Sequence, residues 1–344
     1  MTHDSIIHLT IIHEVCNTLA AVFPSRVVTS GSGWQVRPPN RGAGVAVAAL
    51  LIIALAGCGS GDQAGDTSAT AAQAGCADES TSGQEGVNLL PIPPAKVTVL
   101  DAGGADKRTA AAAPDRTSPQ SSTMVTTSSV LSPGDTKTQS VEMPLQARFH
   151  CTDSTDLEMT LGHVTSPEPV LADQLRAVEN SRAGLAIGPG SMPISLRLLP
   201  AEDAGPEARS AVEQSFVQAL QLSVPVPTEP IGPGARWQVE RVISGAATVT
   251  QHIDATLKSW DGNRLVVAVT VDETPVNSVF AIPGSDQTLT IARFSNGGTG
   301  QVTIDLTRGL PVAGSIELSG ARALVGSDPG RPLIQQTGLS VRWR

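Results

Sequence analysis

The chain has 344 residues and a formal net charge of −9, with 40% hydrophobic and 16% charged residues. Nucleic-acid binding needs a cationic surface, and an acidic chain without a basic block does not provide one, so no nucleic-acid partner is expected. Aromatic residues make up only 3% of the chain, and tyrosine is absent. The aromatic platforms on which sugar-binding and single-strand-binding sites rely are therefore not expected either.

The N-terminal region contains an apolar run with the features of an export signal. Residues 42–56 carry no charge, follow Arg37 and Arg41, and end in the tetrapeptide Leu-Ala-Gly-Cys at 55–58. A charged start, an apolar middle and small residues at the cleavage point are typical of a secretory signal peptide. The run of about 15 residues is shorter than the roughly 20 that span a bilayer, and polar sequence follows it directly. We therefore predict that residues 41–57 form a signal peptide that is removed on export.

The tetrapeptide at 55–58 resembles the lipobox of bacterial lipoproteins. In that family the cysteine thiol receives a diacylglyceryl group, and cleavage leaves this cysteine as the lipidated N-terminus. The resemblance implies that Cys58 is lipidated and anchors the protein at the extracytoplasmic face of the cell membrane. Residues 1–40 add nothing to such a signal, and we interpret them as a mis-called N-terminal extension. A genuine cytoplasmic extension is the alternative.

Two further cysteines, Cys76 and Cys151, belong to the exported part of the chain. An even number of cysteines in an oxidising compartment favours a disulfide, so we predict that this pair is bridged, with two free thiols as the alternative. The first of the pair lies in the segment 58–87, which is rich in Gly, Ser, Thr and Ala and has almost nothing to bury. This composition predicts a disordered tether between the anchor and the folded domain.

From residue 88 to residue 344 the pattern of apolar residues predicts a single domain rich in strands. Apolar and polar residues alternate with the period of two that indicates half-buried strands, for example at 141–149, 236–243 and 265–271. Asp261-Gly262, which lies between two of the segments, favours a hairpin turn. Because each segment has one apolar and one polar face, we expect an antiparallel sheet that is covered on one side.

One segment of this domain has helical spacing instead. Pro206 suits a first helical turn, apolar residues recur after it at three- and four-residue intervals, and Pro225 ends the pattern. We predict an amphipathic helix near 206–222 and a shorter helix near 170–178. The predicted fold is mainly β with one or two helices, a large curved antiparallel sheet or half-barrel packed around the amphipathic helix.

Two motifs in the C-terminal part carry a further resemblance. The run 230–237, which includes Gly-Pro-Gly-Ala-Arg-Trp at 232–237, resembles a motif of uncharacterised actinobacterial lipoproteins, and Asp-Leu-Thr-Arg-Gly-Leu-Pro at 305–311 is similar to another. The predicted layout also resembles the curved half-barrels of mycobacterial lipid-carrying lipoproteins and of periplasmic lipoprotein carriers, which hold acyl chains between a concave sheet and covering helices. Because the motifs are turns and strand starts, the resemblance implies no activity.

No motif that carries catalysis is found in the exported part of the sequence. A nucleophile elbow, a phosphate loop and a dinucleotide fingerprint are all missing. The three histidines, at 150, 163 and 252, are far apart and do not form a metal-binding pattern. We therefore predict a protein that is not an enzyme and that has no metal and no cofactor.

These observations predict a membrane-anchored cell-envelope lipoprotein whose concave cavity binds a lipid or another hydrophobic ligand. The residues expected to line the cavity come from the apolar helix face and from the inward sides of the strands: Val212, Phe216, Leu220, Trp237, Ile253, Leu257, Val267 and Val269. The same residues would be ordinary core if the sheet closed tightly on the helix. A structural or protein-interaction module of the cell envelope without a small-molecule ligand is the alternative function, and the sequence does not indicate an oligomeric state.

Overall fold

A computed structural model of the protein describes residues 75–344. The predicted extension, the signal peptide and the lipidation site Cys58 lie outside the described residues. The described part forms one large curved antiparallel sheet of 14 strands together with two α-helices, which confirms the predicted fold class.

The strands and helices follow the chain in an order that separates two groups of strands by the longer helix. Seven strands precede the longer helix: β1 Asn88–Pro91, β2 Lys96–Asp101, β3 Gln120–Ser132, β4 Asp135–Phe149, β5 Asp156–Leu161, β6 Arg182–Gly188 and β7 Met192–Leu199. The second group comprises β8 Arg236–Ile243, β9 Val249–Asp261, β10 Arg264–Pro275, β11 Val279–Ala281, β12 Thr288–Asp305, β13 Ala313–Val325 and β14 Leu333–Trp343. The helices are α1 Pro169–Leu175 and α2 Pro206–Gln221, with short 3₁₀ turns at Arg176–Val178 and Pro189–Ser191.

The sheet is built from two meanders that meet side by side. The order across it is β1-β7-β6-β5-β4-β3-β14-β13-β12-β10-β9-β8-β2, and β11 pairs in addition with β12. The C-terminal strand β14 pairs with β3, for example Val341 with Thr126, and this pairing joins the second meander to the first. Helix α2 connects β7 to β8 and so crosses from near one edge of the sheet to near the other.

A short linker shows how strongly the sheet is curved. Strands β1 and β2 form opposite edges of a row of 13 strands, yet only residues 92–95 separate them along the chain. If the row were flat, its edges would lie about 58 Å apart at a strand spacing of about 4.8 Å. The five Cα steps from Pro91 to Lys96 span at most about 18 Å. The sheet must therefore curl until its two edges come close together.

Helix α2 lies on the concave side of this curl and is buried on several sides. Its buried residues include Ala208 and Phe216, but also the polar residues Gln214, Ser215 and Gln218. The sequence predicted a helix with one apolar face. The enclosing sheet instead meets the polar side as well, where Thr126 of β3 donates a hydrogen bond to Ser215 Oγ at 3.0 Å.

Arg241 of β8 fixes the C-terminal end of α2. Its guanidinium donates to the backbone oxygens of Leu220 at 3.0 Å, Gln221 at 2.9 Å and Ser223 at 2.7 Å. The last carbonyl groups of a helix have no partner within the helix, and a cation suits the negative end of the helix dipole. Burial lowers the pKa of Arg241 to about 10, so the group is cationic at neutral pH. A buried arginine of the sheet thus holds the C-terminal end of α2 against β8.

The predicted tether 58–87 is wrong for residues 75–87, which pack against the outer face of the sheet. A disulfide joins Cys76 to Cys151, the pair that the sequence analysis expected to be bridged. Thr81 is completely buried, and its backbone N–H and hydroxyl both donate to Glu158 Oε1, at 2.9 and 3.0 Å. A segment with few apolar residues is held here by a disulfide and by buried polar contacts, which its own composition could not reveal.

The buried carboxylates beneath this segment are neutralised by arginine. Arg197 contacts Asp156, and its Nη2 lies 3.0 Å from Glu158 Oε1. Gly184 leaves the space for this network, because a Cβ at that position would overlap Thr81 Oγ1 and the Arg197 guanidinium. Since each carboxylate has a cationic partner, these groups serve the attachment of 75–87.

Candidate functional site

A cavity of about 230 Å³ lies between α2 and the concave side of the sheet. We call it the large cavity. The helix contributes Gln214, Val217, Gln218 and Gln221, and the strand residues that line it include Ser128, Val130, Glu273, Phe280, Phe294, Asn296, Leu318, Arg322, Thr337 and Leu339. Its wall is therefore partly polar and partly apolar, as in a site for a molecule with two chemically different ends.

The polarity of the wall changes steadily along β13 and β14. Arg322 is paired with Gln335 at one end of the two strands. Residues two positions apart lie on the same face of a strand, so the next position toward the interior on β14 is Thr337. The pair Leu318 and Leu339 follows. A cation, a hydroxyl and then apolar side chains thus follow one another. From Arg322 to Leu318 the distance along β13 is about 14 Å, at about 3.4 Å per residue.

A second cavity of about 70 Å³, the small cavity, continues the apolar end of this wall. It is lined by Leu220 of α2, by Trp343 and by Ile316 and Val341. The pair Ile316 and Val341 directly follows Leu318 and Leu339 on the same face of β13 and β14. The two cavities therefore lie one after the other along the same strands.

The two motifs that resemble lipoprotein sequences form turns at the end of the sheet beside the small cavity. Residues 308–311 line that cavity, and Gly234, with φ of 83°, forms the turn before β8. The carboxylate of Asp305 accepts hydrogen bonds from the backbone N–H and the hydroxyl of Thr307 and from Arg264 Nε. Burial would raise the pKa of Asp305, but the bonds from Thr307 and Arg264 outweigh it and lower the pKa overall.

The large cavity opens at the opposite end of the sheet, at the turn between β8 and β9. Ser244 and Gly245 of this turn are exposed and line the cavity. Strand β11 contacts this turn, since Ala281 N–H donates to the Ala246 carbonyl at 2.7 Å, and its Phe280 is buried. The three-residue strand β11 thus lies beside the opening, which we call the mouth.

Three valines with exposed side chains lie on the segments that surround this mouth. Val242 is 51% exposed, Val276 is 55% exposed and Val279 is 48% exposed. Val242 lies near the end of β8, Val276 directly follows β10 and Val279 begins β11. None of the three lines the cavity itself.

Three polar side chains of the large cavity stand out by the partners they lack within the described chain: Gln214 and Gln218 have no side-chain hydrogen bond, and Arg322 has no acidic partner. Gln214 and Gln218 are each 7% exposed, and no residue of the described chain forms a hydrogen bond with either side-chain amide. Arg322 donates through Nε to Gln335 Oε1 at 2.8 Å, and its guanidinium lies 4.4 Å from the centroid of the Phe280 ring. Burial lowers the pKa of Arg322 to about 10, which leaves it cationic at neutral pH.

The structure brings only part of the predicted cavity lining to a cavity. Leu220 lines the small cavity. The other seven predicted residues are buried in the hydrophobic core and line neither the large nor the small cavity: Val212, Phe216, Trp237, Ile253, Leu257, Val267 and Val269. Trp237, for example, is completely buried and donates through Nε1 to the Pro225 carbonyl at 3.0 Å. A ligand contact for these seven side chains stays a prediction.

The polar residues of the large cavity were not found by sequence reasoning. Gln214 and Gln218 lie four residues apart on α2, on the side that an amphipathic pattern assigns to solvent. Arg322 lies on a strand with no motif around it, and its neighbours Phe280 and Gln335 come from distant parts of the chain. The spacing of the two glutamines shows that they share one face of the helix. It indicates a polar site only once the sheet is known to cover that face.

Within residues 75–344 the structure contains neither a cluster of metal ligands nor a helix that could span a membrane. No group of three or more His, Cys, Asp or Glu side chains in that range is placed to hold a metal ion. Neither of the helices found there combines the length and the apolar character that crossing a bilayer requires.

Comparison with known proteins finds a weak structural similarity and no similarity in sequence. The sequence matches no family model, and no curated protein is similar to it. A solved structure described as "lipid-protein interactions in lipovitellin" is similar over 66% of this chain and 25% of that chain, with 11% sequence identity and a TM-score of 0.37. The chain thus spans a quarter of the length of that lipovitellin chain, and a similarity at this level gives no basis for transferring a function.

Proposed function

We propose that this protein is a cell-envelope lipoprotein that binds a lipid or another hydrophobic molecule in the large cavity. Its anchor would be Cys58 at the extracytoplasmic face of the membrane, as the lipobox and the preceding apolar run imply. The observation that carries the proposal is the cavity of about 230 Å³ between α2 and the sheet, whose wall includes apolar side chains such as Leu318 and Leu339. Concave sites with apolar walls and a few polar groups are typical of binding sites for small molecules.

The energetic argument points in the same direction. The cavity of about 230 Å³ opens to solvent, so water enters it, and apolar wall residues that face water lose the contacts they would make with packed neighbours. Polar wall residues such as Ser128 bind part of this water, but the side chains of Leu318 and Leu339 offer it no hydrogen bonds. An apolar ligand segment restores the lost packing contacts there.

The position of the mouth agrees with a protein held from its N-terminal side. The disulfide between Cys76 and Cys151 lies just beyond the end of β4, whereas the mouth lies at the end of the sheet where β4 begins. The start of the described chain is therefore held at the end of the sheet opposite to the mouth.

The proposal is tested by uptake of a fluorescent fatty-acid analogue into the full chain carrying Cys58→Ser, which lacks the acylation site. Val217→Trp places a large side chain in the cavity and is expected to lower uptake at least tenfold. Val170→Trp, at a site that is 75% exposed on α1, is the matched control and should bind as the parent does. Equal uptake by the Val217→Trp variant, or no uptake by the parent, would overturn the proposal and favour the alternative of an interaction module without a ligand.

A further inference from the structure

The large cavity contains a cation that is held in a fixed position. Arg322 Nε is bound to Gln335 Oε1 at 2.8 Å, and Gln335 Nε2 donates in turn to Ser132 Oγ at 3.1 Å. The Phe280 ring lies against the guanidinium, 4.4 Å from its carbon to the ring centroid. The stack on Phe280 and the bond at Nε determine the plane of the group. Its two terminal nitrogens, which form the fork that binds carboxylates and phosphates, are not used by these contacts.

No carboxylate of the described chain neutralises this cation. Ion pairs within 4.0 Å link other arginines to acidic residues, but none of them involves Arg322. The other charged residue of the cavity wall is Glu273. Its Oε1 accepts a bond from Gln251 at 2.9 Å and its Oε2 accepts one from Asn296 at 2.7 Å. Both oxygens of this carboxylate are thus hydrogen-bonded by neutral amides, and among the described residues Glu273, like Arg322, has no ion-pair partner. The difference lies in hydrogen bonding, because the bond of Arg322 Nε to Gln335 leaves its terminal nitrogens without a partner in the described chain.

The helix provides a second, independent observation. Gln214 and Gln218 are each 93% buried, being 7% exposed, and they line the same cavity as Arg322. Residues four apart lie on one face of a helix, so both amides come from the same side of α2. Across residues 75–344 neither side chain has a hydrogen-bond partner. Neither amide is among the fully enclosed polar atoms that lack a partner, so both face the space of the cavity, where water reaches them. A polar group brought in by a ligand takes the place of that water.

We propose that Arg322, together with the Gln214 and Gln218 amides, binds the anionic headgroup of an amphiphile, a carboxylate or a phosphate. The apolar part of the same molecule lies along Leu318 and Leu339 toward the small cavity. This assignment rests on the proposed function and names the class of its ligand. It follows from the order of the wall residues, in which a cation and amides stand near the mouth and apolar side chains stand deeper.

The test compares ligands that share a chain and differ only in headgroup. The full chain carrying Cys58→Ser, freed of bound lipid, is titrated with oleic acid and with oleyl alcohol below their micelle concentrations. Acetate and inorganic phosphate serve as headgroups without a chain. A charge-assisted hydrogen bond predicts that oleate binds about ten- to hundredfold more tightly than the alcohol. Arg322→Gln should abolish this preference without changing the affinity for the alcohol.

Two further variants separate a headgroup contact from loss of structure. Arg342→Gln removes an exposed arginine of β14 and should keep the full preference for oleate. Arg322→Lys keeps the charge but loses the planar fork, so it should fold and should show a reduced preference. Thermal unfolding of each variant verifies the fold before titration.

Each result has one meaning for the inference. A preference for oleate that Arg322→Gln removes and Arg342→Gln retains supports the anionic headgroup. Equal binding of oleate and oleyl alcohol by the parent overturns the headgroup assignment and leaves the proposed function standing. Binding of neither ligand overturns the proposed function itself. Acetate or phosphate binding as tightly as oleate would show a site for a free anion and would overturn the assignment to an amphiphile.

Discussion

The two unpartnered glutamines of α2 lead to a prediction that distinguishes a binding site from ordinary core. Gln218 is 7% exposed, lines the large cavity and has no partner within the described chain. Leu has nearly the same size as Gln and removes the buried amide. We expect Gln218→Leu to make the ligand-free protein more stable and at the same time to weaken ligand binding.

The magnitude of this effect follows from the surroundings of the side chain. An unsatisfied buried polar group costs about 1–3 kcal/mol. The cavity of about 230 Å³ has room for water, which partly satisfies the amide, so the gain should lie near the lower end, about 1 kcal/mol. For a domain of this size, that corresponds to a rise in Tm of about 2–4 °C.

Gln251 is the matched control, because it is also a buried glutamine near the same cavity. It is 1% exposed, and its amide donates to Glu273 Oε1 at 2.9 Å. Gln251→Leu leaves a half-buried Glu273 oxygen without its donor, although it also removes the buried Gln251 Oε1, which has no partner among the described residues. The net effect should be a loss of stability of about 1 kcal/mol. Urea unfolding of both variants measures the two changes, with an unchanged slope showing that the unfolded state is comparable. If Gln218→Leu destabilised the protein as much as Gln251→Leu does, Gln218 would be a core residue and the reasoning would fail.

Three further predictions concern the frame around the cavities. Replacing Cys76 and Cys151 by Ser removes a link across 75 positions and should cost up to about 4 kcal/mol, measured as a lower midpoint in urea, whereas an unchanged midpoint would contradict a structural role for the bridge. The pKa of Asp305 is lowered in the folded state, so its contribution is complete above its unfolded pKa and disappears as the pH falls through the folded value. The stability of Asp305→Asn should therefore fall less than that of the parent protein as the pH is lowered. Identical acid-unfolding curves for the two proteins would refute this prediction. Gly184→Ala overlaps the buried network and should destabilise the protein clearly, while Gly104→Ala, with its nearest neighbour at 3.5 Å, should leave the thermal midpoint nearly unchanged.

Local patterns predicted the second half of the sheet well. The hairpin at Asp261-Gly262 joins β9 to β10 as expected, and Gly262 has the positive φ, 54°, that such a turn requires. Alternation likewise indicated β4 and β8. Strands β6 and β7 were not predicted, because Arg182–Gly188 consists of small and apolar residues without alternation and Met192–Leu199 includes a proline. The short edge strand β1 contains a proline as well.

The candidate site could be predicted only in outline, since it depends on contacts that span the whole chain. An apolar pattern identifies buried side chains, but it does not separate the wall of a cavity from packed core. Leu220 and Leu257 were both expected to line the cavity from their apolar patterns, one on a helix and one on a strand, yet only Leu220 lines a cavity. Arg322 gains its role from Phe280 and Gln335, which the order of the strands brings beside it. Thr81 is likewise buried only because Glu158 and Arg197 lie beneath it.

Native mass spectrometry of the full chain, purified from its own cell envelope, tests the central claim most directly. Comparing native and denatured spectra separates a noncovalent ligand from the covalent acyl anchor at Cys58. The account predicts an added mass in the native spectrum that is lost on denaturation, that belongs to an anionic amphiphile and that is absent from the Val217→Trp variant. An unchanged mass between the two spectra, together with no uptake of oleate by the purified chain, would contradict it.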